Sequence, residues 1–326
     1  MPGRRLPAEL ERAILLTTTE IDPKTLPSML LIAKRAHLWL EPQLYKDVRL
    51  RMGSDPAQDA FFRVASTRPR WFLAHGVRRL RLSLGYPTPG RAFLRQVYDA
   101  VSLCTGVREV SLNPAGVRVT RNLFELLAPM RPHHLGAFIN RLTDRQLDCG
   151  LPIFSQLTHI SVFWHDNINS DHRIIPFVCG LPSLTHLSFQ NALTFDNLRQ
   201  ILNKCAFLQT VVFLLAFTGN ELTCPETTRA IEWAETIPFR DSRIVVSVGT
   251  RTDNGMMPQR PLCWKAAEEF QALKTRGEIA EDRLWTGDFW TRSATEDPVA
   301  ILLHSLLLCP SILQILVSDY YNNDNC

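Results

Sequence analysis

Histidines, aspartates and one serine form the best candidates in this sequence for acid–base or nucleophilic chemistry. They stand at His133-His134, His165-Asp166, His172 and 144–148, and a His/Asp pair beside Ser161 would imitate a hydrolase triad. The strained GxSxG turn that presents a nucleophilic serine in many hydrolases is missing from the sequence. We therefore predict a protein that is not an enzyme and has no catalytic residues. A hydrolase that uses His165 and Asp166 is a third possibility behind the two binding functions given below.

Metal and nucleotide motifs are absent as well. His159 and His186 occupy the same place in two similar segments and should lie near each other, but two histidines need a nearby carboxylate to hold a metal ion. The eight cysteines form no CxxC pair and mostly sit in apolar runs, which is typical of buried thiols in a reducing compartment. Neither GxGxxG nor GxxxxGKS occurs. We predict no metal and no cofactor.

Charge and hydropathy narrow the choice of partner. The net charge of +4 is too small to indicate nucleic-acid binding, although residues 1–100 hold 17 Lys+Arg against 9 Asp+Glu. This basic first part either faces an acidic partner or is a solvated surface. The apolar segment Ala300–Val317 is interrupted by His304, Pro310 and Gln314, so we predict a buried helix there and no membrane contact. The N-terminus has no signal-peptide pattern, which predicts a cytoplasmic or nuclear location.

The first 50 residues have the pattern of a helical hairpin. Ala8–Leu15 carries carboxylates in its first turn, and Leu10, Ile14 and Leu15 share one face at helical spacing. A second helix is predicted from about Met29 to Leu40, where Pro42 follows, and Val48-Arg49-Leu50 is an extended segment.

The chain opens with Leu6-Pro7-x-Glu9-Leu10, followed by Ile14, Leu31-Ile32-Ala33-Lys34-Arg35, Trp39 and Pro42-x-Leu44-Tyr45. In this order and spacing, the segment resembles an F-box of the kind found in a large fungal family of F-box-like proteins. Two positions depart from the pattern, because Leu15 stands where an aromatic residue is usual and Ala33 where a larger aliphatic residue is usual. The resemblance implies that the hairpin docks on the linker subunit of an SCF-type ubiquitin ligase. It assigns the docking to Leu6, Pro7, Leu10, Ile14, Leu31, Trp39, Leu44 and Tyr45.

A second pattern repeats from residue 77 onward. The fourth positions of its strand template fall at 80, 110, 138, 160, 187 and 211, with helical stretches between them. A strand and a helix every 22 to 30 residues is typical of a leucine-rich-repeat solenoid, and a doubly wound α/β domain is the competing fold. The six matching segments are Val77-x-x-Leu80-x-Leu82, Val107-x-x-Val110-x-Leu112, Leu135-x-x-Phe138, Leu157-x-x-Ile160-x-Val162, Leu184-x-x-Leu187-x-Phe189 and Leu208-x-x-Val211-x-Phe213.

Strand alternation predicts which side chains would meet a partner. Template positions 1, 4 and 6 should point into the core, and positions 3, 5 and 7 should form the concave face of the solenoid. That face runs from cationic through polar to apolar, and it is either a protein-binding groove or a solvated surface without a ligand. The target-binding residues predicted on it are Arg79, Arg81, Glu109, Ser111, His159, Ser161, His186, Ser188 and Gln190.

The predicted fold class is α/β, with three parts along the chain. Residues 1–50 are the F-box-like helical domain, residues 51–250 the irregular leucine-rich-repeat solenoid, and residues 251–326 a helical region that caps its open end. The resemblance implies a non-catalytic adaptor that binds the ligase linker and an unidentified target protein. The alternative is a free repeat scaffold whose degenerate F-box no longer binds the ligase.

Overall fold

The computed structural model shows a mixed α/β protein. It describes residues 6–53, 55–84, 90–113, 121–138, 142, 147–163, 173–190, 192–217, 232–250, 260–280, 282–284 and 286.

The N-terminal part is a small helical unit with its own core. Helix α1 (Ala8–Ile21) begins after Pro7, whose carbonyl accepts from the amides of Leu10 and Glu11, and it is followed by α2 (Leu26–Met29) and α3 (Lys34–Leu40). Two 3-10 turns, Pro23–Thr25 and Glu41–Tyr45, connect these helices to each other and to the rest of the chain. Its core consists of the buried side chains Leu15, Leu26, Ala36 and Leu40.

The second helix of this unit was predicted as continuous from Met29 to Leu40, and that prediction is wrong. The chain leaves the helix after Met29, and Ala33 has φ −157° and ψ 152°, which is extended backbone. The break allows Leu26 before it and Leu40 after it to contact the same core around Leu15. Arg35 then donates to the buried Glu11 carboxylate at 2.9 Å, which ties α3 to α1.

Eight parallel strands form one sheet, in the same order as they occur along the chain. A doubly wound sheet reverses its strand order at a switch point, and the eight described strands show no reversal. Their bounds are β1 (Asp47–Arg51), β2 (Arg79–Ser83), β3 (Glu109–Asn113), β4 (His134–Phe138), β5 (His159–Phe163), β6 (His186–Phe189), β7 (Thr210–Phe217) and β8 (Ile244–Thr250).

Helices or helical turns lie in most of the connections between strands. The remaining helices in the described part of the chain are α4 (Pro56–Thr67), α5 (Arg70–Gly76), α6 (Arg91–Val101), α7 (Arg121–Leu127), α8 (Ile174–Gly180), α9 (Phe195–Lys204) and α10 (Arg260–Thr275). Those from α4 to α9 place their apolar residues in a single large core on one face of the sheet. None of the helices that the structure describes is long and apolar enough to cross a membrane, and Ala300–Val317 lies outside the described residues.

Two rows of buried side chains cross the sheet. They confirm the predicted inward fourth and sixth positions in every repeat except the third, because alternate side chains of a strand point to opposite faces. The rows are Val48, Leu80, Val110, Leu135, Ile160, Leu187, Val211 and Ile244, and Leu50, Leu82, Leu112, Ala137, Val162, Phe189, Phe213 and Val246.

The register predicted for the third repeat is wrong by three residues. Leu135, and not Phe138, pairs with Val110 on one side and Ile160 on the other. Leu135 and Ala137 therefore enter the core, while Phe138 lies on the other face against Phe163, with ring centroids 5.3 Å apart. Asn140 stands at the sixth position of the template as predicted for this repeat, where an apolar residue was expected, and it lies outside the described residues.

The predicted boundary at residue 50 falls inside β1, whose Val48 and Leu50 belong to the sheet core, so the helical unit ends before β1. Most of region 251–326, which was expected to cap the open end of the repeats, lies outside the described residues. Its described helix α10 lies on the sheet face opposite α4 to α9, where Trp264 and Phe270 pack on β7 and β8.

Candidate functional site

The face opposite α4 to α9, here called the polar sheet face, is formed by the third and fifth template residues. Eight of the nine predicted target-binding residues lie in these rows, and Gln190 follows the end of β6. The prediction missed His134 and Gly136 because of the register error in the third repeat. The two rows are Asp47, Arg79, Glu109, His134, His159, His186 and Thr210, and Arg49, Arg81, Ser111, Gly136, Ser161, Ser188 and Val212.

The end of this face at β1 to β3 is charged but largely neutralised. Arg81 donates to Asp47 at 2.8 Å, and Arg79 lies 3.5 Å from Glu109 and 3.9 Å from Asp47. The two arginines therefore form a mixed row with two carboxylates, whereas the sequence alone suggested a cationic end. An incoming partner would have to exchange these ion pairs for its own.

A cleft of about 710 Å³ borders the polar sheet face at the ends where the strands begin. It is rich in cationic side chains, and most of these belong to the first 100 residues, whose excess of basic residues is seen in the sequence. Its lining includes Glu20, Lys46, His75, Arg78, Arg79, Arg108, Glu109, His133, His134 and Thr158.

Three histidines stack across the middle of the sheet. The ring of His159 lies 4.0 Å from that of His134 and 4.1 Å from that of His186, which is nearly parallel to it at 6°. Because they occupy the same position of β4, β5 and β6, the strand spacing alone brings the rings into contact. Burial, reinforced by the neighbouring histidines, lowers the pKa of His159 to about 3, so its ring is neutral at pH 7.

Helix α10 covers the other end of the face. Trp264 is 5 % exposed and its ring lies edge-on to His159 and His186, at 5.3 and 5.6 Å. The Gln271 amide accepts from the Thr210 hydroxyl at 2.9 Å and donates to backbone carbonyls before β7 and β8. The apolar residues of α10 pack against Val212, Leu214 and Val245 of the sheet.

This cover changes which predicted target-binding residues are accessible. Ser161, His186 and Ser188 are buried, and the Ser188 hydroxyl donates to that of Ser161 at 2.9 Å. The open part of the face comprises β1 to β4 and contains Arg79, Arg81, Glu109, Ser111 and His134. A sequence signal for the cover existed, because this end of the face was predicted to be apolar and such a surface needs a packing partner.

The carboxylate that the two histidines needed for a metal site is also on α10. One ligand atom each of His159, His186 and Glu268 lies within 4.8 Å of the others, and His186 Nε2 is 3.1 Å from Glu268 Oε1. Sequence reasoning could not find this group, because Glu268 is more than 80 residues from either histidine along the chain.

The predicted linker-docking residues fall into two groups. Leu6, Pro7, Leu10, Ile14, Leu31 and Leu44 are exposed, and Leu10 and Ile14 stand one turn apart on α1 at 52 % and 37 % exposure. Trp39 packs against the small core of the helical unit, and the Tyr45 ring lies 5.8 Å from that of Phe72. The prediction missed Leu38, which is 64 % exposed.

The residues considered for catalysis are not assembled by the described structure. His165, Asp166, His172 and Asp144 lie outside the described residues, and Ser161 bonds to Ser188.

No protein-family model matches the chain, and no curated protein matches it.

Proposed function

We propose that the chain is a non-catalytic substrate-recognition adaptor of an SCF-type ubiquitin ligase. The observation that carries this proposal is the exposure of Leu10 and Ile14 on a helical unit that already has its own core. Folding of the described chain does not use these two apolar side chains, and burial against a partner would stabilise a complex by the hydrophobic effect. The F-box resemblance assigns that partner to the ligase linker subunit.

The sequential parallel sheet supports the second half of the proposal. Neighbouring strands in chain order, a continuous ladder of core residues and helices on one face are the arrangement expected of an irregular leucine-rich-repeat solenoid. The target protein binds to the open part of the polar sheet face and the adjoining cleft. Lys46, Arg78 and Arg108 line that cleft, and Lys46 already pairs with Glu20 at 2.9 Å, so an acidic segment of the target would bind mainly at the two arginines.

The adaptor acts by positioning. Holding a target next to a partner enzyme raises the effective concentration of its lysines, and the enzyme performs the ubiquitin transfer. This function needs no catalytic residue, no cofactor and no contact with membrane or nucleic acid, and it places the chain in the cytoplasm or nucleus.

The free scaffold is the alternative function, and the exposed residues of α1 separate the two. In a scaffold whose hairpin is only a cap, the α1 face would be buried against the repeats. Leu15 is indeed buried, but it belongs to the core of the helical unit itself. The exposure of Leu10 and Ile14 therefore favours the adaptor.

The test is a pull-down of the full chain with the purified ligase linker subunit as bait. We expect the native chain to bind and the double variant Leu10→Asp with Ile14→Asp to lose binding, while its circular dichroism spectrum stays unchanged. Phe207→Asp is the matched control, because Phe207 is 67 % exposed in the turn between α9 and β7. This variant should bind the linker subunit like the native chain. A folded double variant that still binds, or a folded native chain that does not bind, would refute the docking assignment.

A further inference from the structure

Three potential metal ligands meet where α10 crosses the polar sheet face. His159 comes from β5, His186 from β6 and Glu268 from α10, and their ligand atoms lie within 4.8 Å of one another. The His186 side chain is 8 % exposed, and the Trp264 ring packs against both imidazole rings. The two imidazole rings are therefore largely shielded from water.

The threonines that precede the two histidines bond to the Nδ1 atom of each ring. The Thr158 hydroxyl is 3.2 Å from the carbonyl oxygen of His133 and 2.8 Å from His159 Nδ1. When this hydroxyl donates to the carbonyl, its oxygen can accept from Nδ1–H, which is the tautomer that leaves Nε2 free for a metal ion.

The same arrangement recurs one strand further along. The Thr185 hydroxyl is 3.1 Å from the Thr158 carbonyl oxygen and 2.8 Å from His186 Nδ1. His186 can therefore bind a metal ion through Nε2 with the same support at Nδ1. A hydrogen bond at the second ring nitrogen is a regular feature of metal-binding histidines.

His186 Nε2 and Glu268 Oε1 are 3.1 Å apart, a distance at which a proton on Nε2 joins them by a hydrogen bond. A metal ion can take the place of that proton, because an unprotonated imidazole nitrogen and a carboxylate oxygen are both metal ligands. The ring of His159 in the next strand offers the metal a third ligand atom.

We propose that His159, His186 and Glu268 form a zinc site that fastens α10 to the polar sheet face. Imidazole nitrogen and carboxylate oxygen are ordinary zinc ligands, and three protein ligands leave a fourth position for water. In a tetrahedral site, ligand atoms at about 2.0–2.2 Å from zinc lie closer together than 4.8 Å. The nearly parallel rings must therefore tilt towards the ion.

Zinc binding at this place links a metal ion to the accessibility of the face. With the ion bound, α10 is held over Ser161 and Ser188. Without it, the helix loses this link and keeps its apolar contacts and the Gln271 hydrogen bonds. The regulatory meaning depends on the proposed function, because only a target-binding face can be regulated by its cover, but the zinc site itself does not.

The experiment is calorimetric titration of the full chain with zinc chloride after treatment with a chelator. We expect one Glu268-dependent ion per chain, and an affinity at least about tenfold lower in Glu268→Gln, since loss of even an outer-shell partner costs about 10–100-fold. Glu268 is half exposed, so the amide variant should fold normally. Glu269→Gln, one residue along the same helix, is the control and should bind like the native chain. Absence of zinc binding, or equal affinity in both variants, would mean that His186 pairs with Glu268 through a proton.

Hydrogen exchange measures the fastening directly. Zinc should slow exchange of residues 260–275 in the native chain and in Glu269→Gln, but not in Glu268→Gln. Zinc binding without any slowing in this helix would overturn the fastening role. Linker pull-down, which reads the N-terminal helices, is independent of both results, so failure of the zinc site and failure of the adaptor function are distinguishable.

Discussion

Replacing Phe270 by alanine should release α10 from the polar sheet face. Phe270 is completely buried between the helix and the sheet, in a cluster with Trp264, Val212 and Val245. The lost contacts and the cavity left by a buried Phe→Ala change cost about 3–5 kcal/mol. That cost applies only to the state in which the helix is closed over the face.

Because each 1.4 kcal/mol is a factor of ten, the opening equilibrium of α10 should shift by at least about a hundredfold. Hydrogen exchange with mass spectrometry should show this as faster exchange of residues 260–275. The sheet strands β2 to β5 have their own core on the opposite face, so their exchange should not change.

Two results would contradict this reasoning. An acceleration in α10 of less than about tenfold would mean that its contacts are not those described. An equal acceleration in β2 to β5 would mean that helix and sheet open as one unit. Phe207→Ala is the control, because its side chain is 67 % exposed and its loss should change stability by less than about 0.5 kcal/mol.

Two further predictions concern the core. A Cβ at Gly106 would overlap the carbonyl oxygen of Ala74 and the Arg78 guanidinium, so Gly106→Ala should lower the free energy of unfolding, measured in urea, by about 2 kcal/mol or more. Gly90→Ala is the control, because there is open space around Gly90 and this variant should not be destabilised in this way. Equal stabilities of the two variants would refute the close approach at Gly106. Burial raises the pKa of the Cys104 thiol from 9.0 to about 12, so the unfolded chain loses this proton first and stability should fall by up to about 1.4 kcal/mol per pH unit as the pH rises from 9 towards 12. Urea titrations across that range should show a shallower loss in Cys104→Ala, and parallel curves would refute the assignment.

Much of the sheet could be predicted from local sequence because its information is local. Strand alternation placed Leu80 and Leu82 in the core and Arg79 and Arg81 on the opposite face, and both positions are observed. The third repeat failed because Leu135 and Phe138 both fit an apolar template slot. Pairing with Val110 and Ile160 decides between them, and pairing is a property of neighbouring strands.

The candidate site was predictable only in part. Its histidines were recognised as equivalent from the repeat, because equal template positions in parallel strands must stack. Which apolar residues of α1 stay exposed is a different kind of question, since Leu10, Ile14 and Leu15 have the same helical pattern and only the core around Leu26 and Leu40 selects Leu15 for burial.

The sequence by itself determined the alternation of strand and helix, the inward and outward faces of the strands and the equivalence of His159 and His186. Only the tertiary structure decided that α10 lies on the polar sheet face, that Glu268 meets the histidines and that Ser161 and Ser188 are covered. The physical reason is the distance along the chain over which each interaction acts. Backbone geometry and hydrophobic periodicity act between residues a few positions apart. The burial of Trp264 and Phe270 instead joins α10 to β7, about 50 residues away along the chain, and no local sequence pattern indicates this pairing.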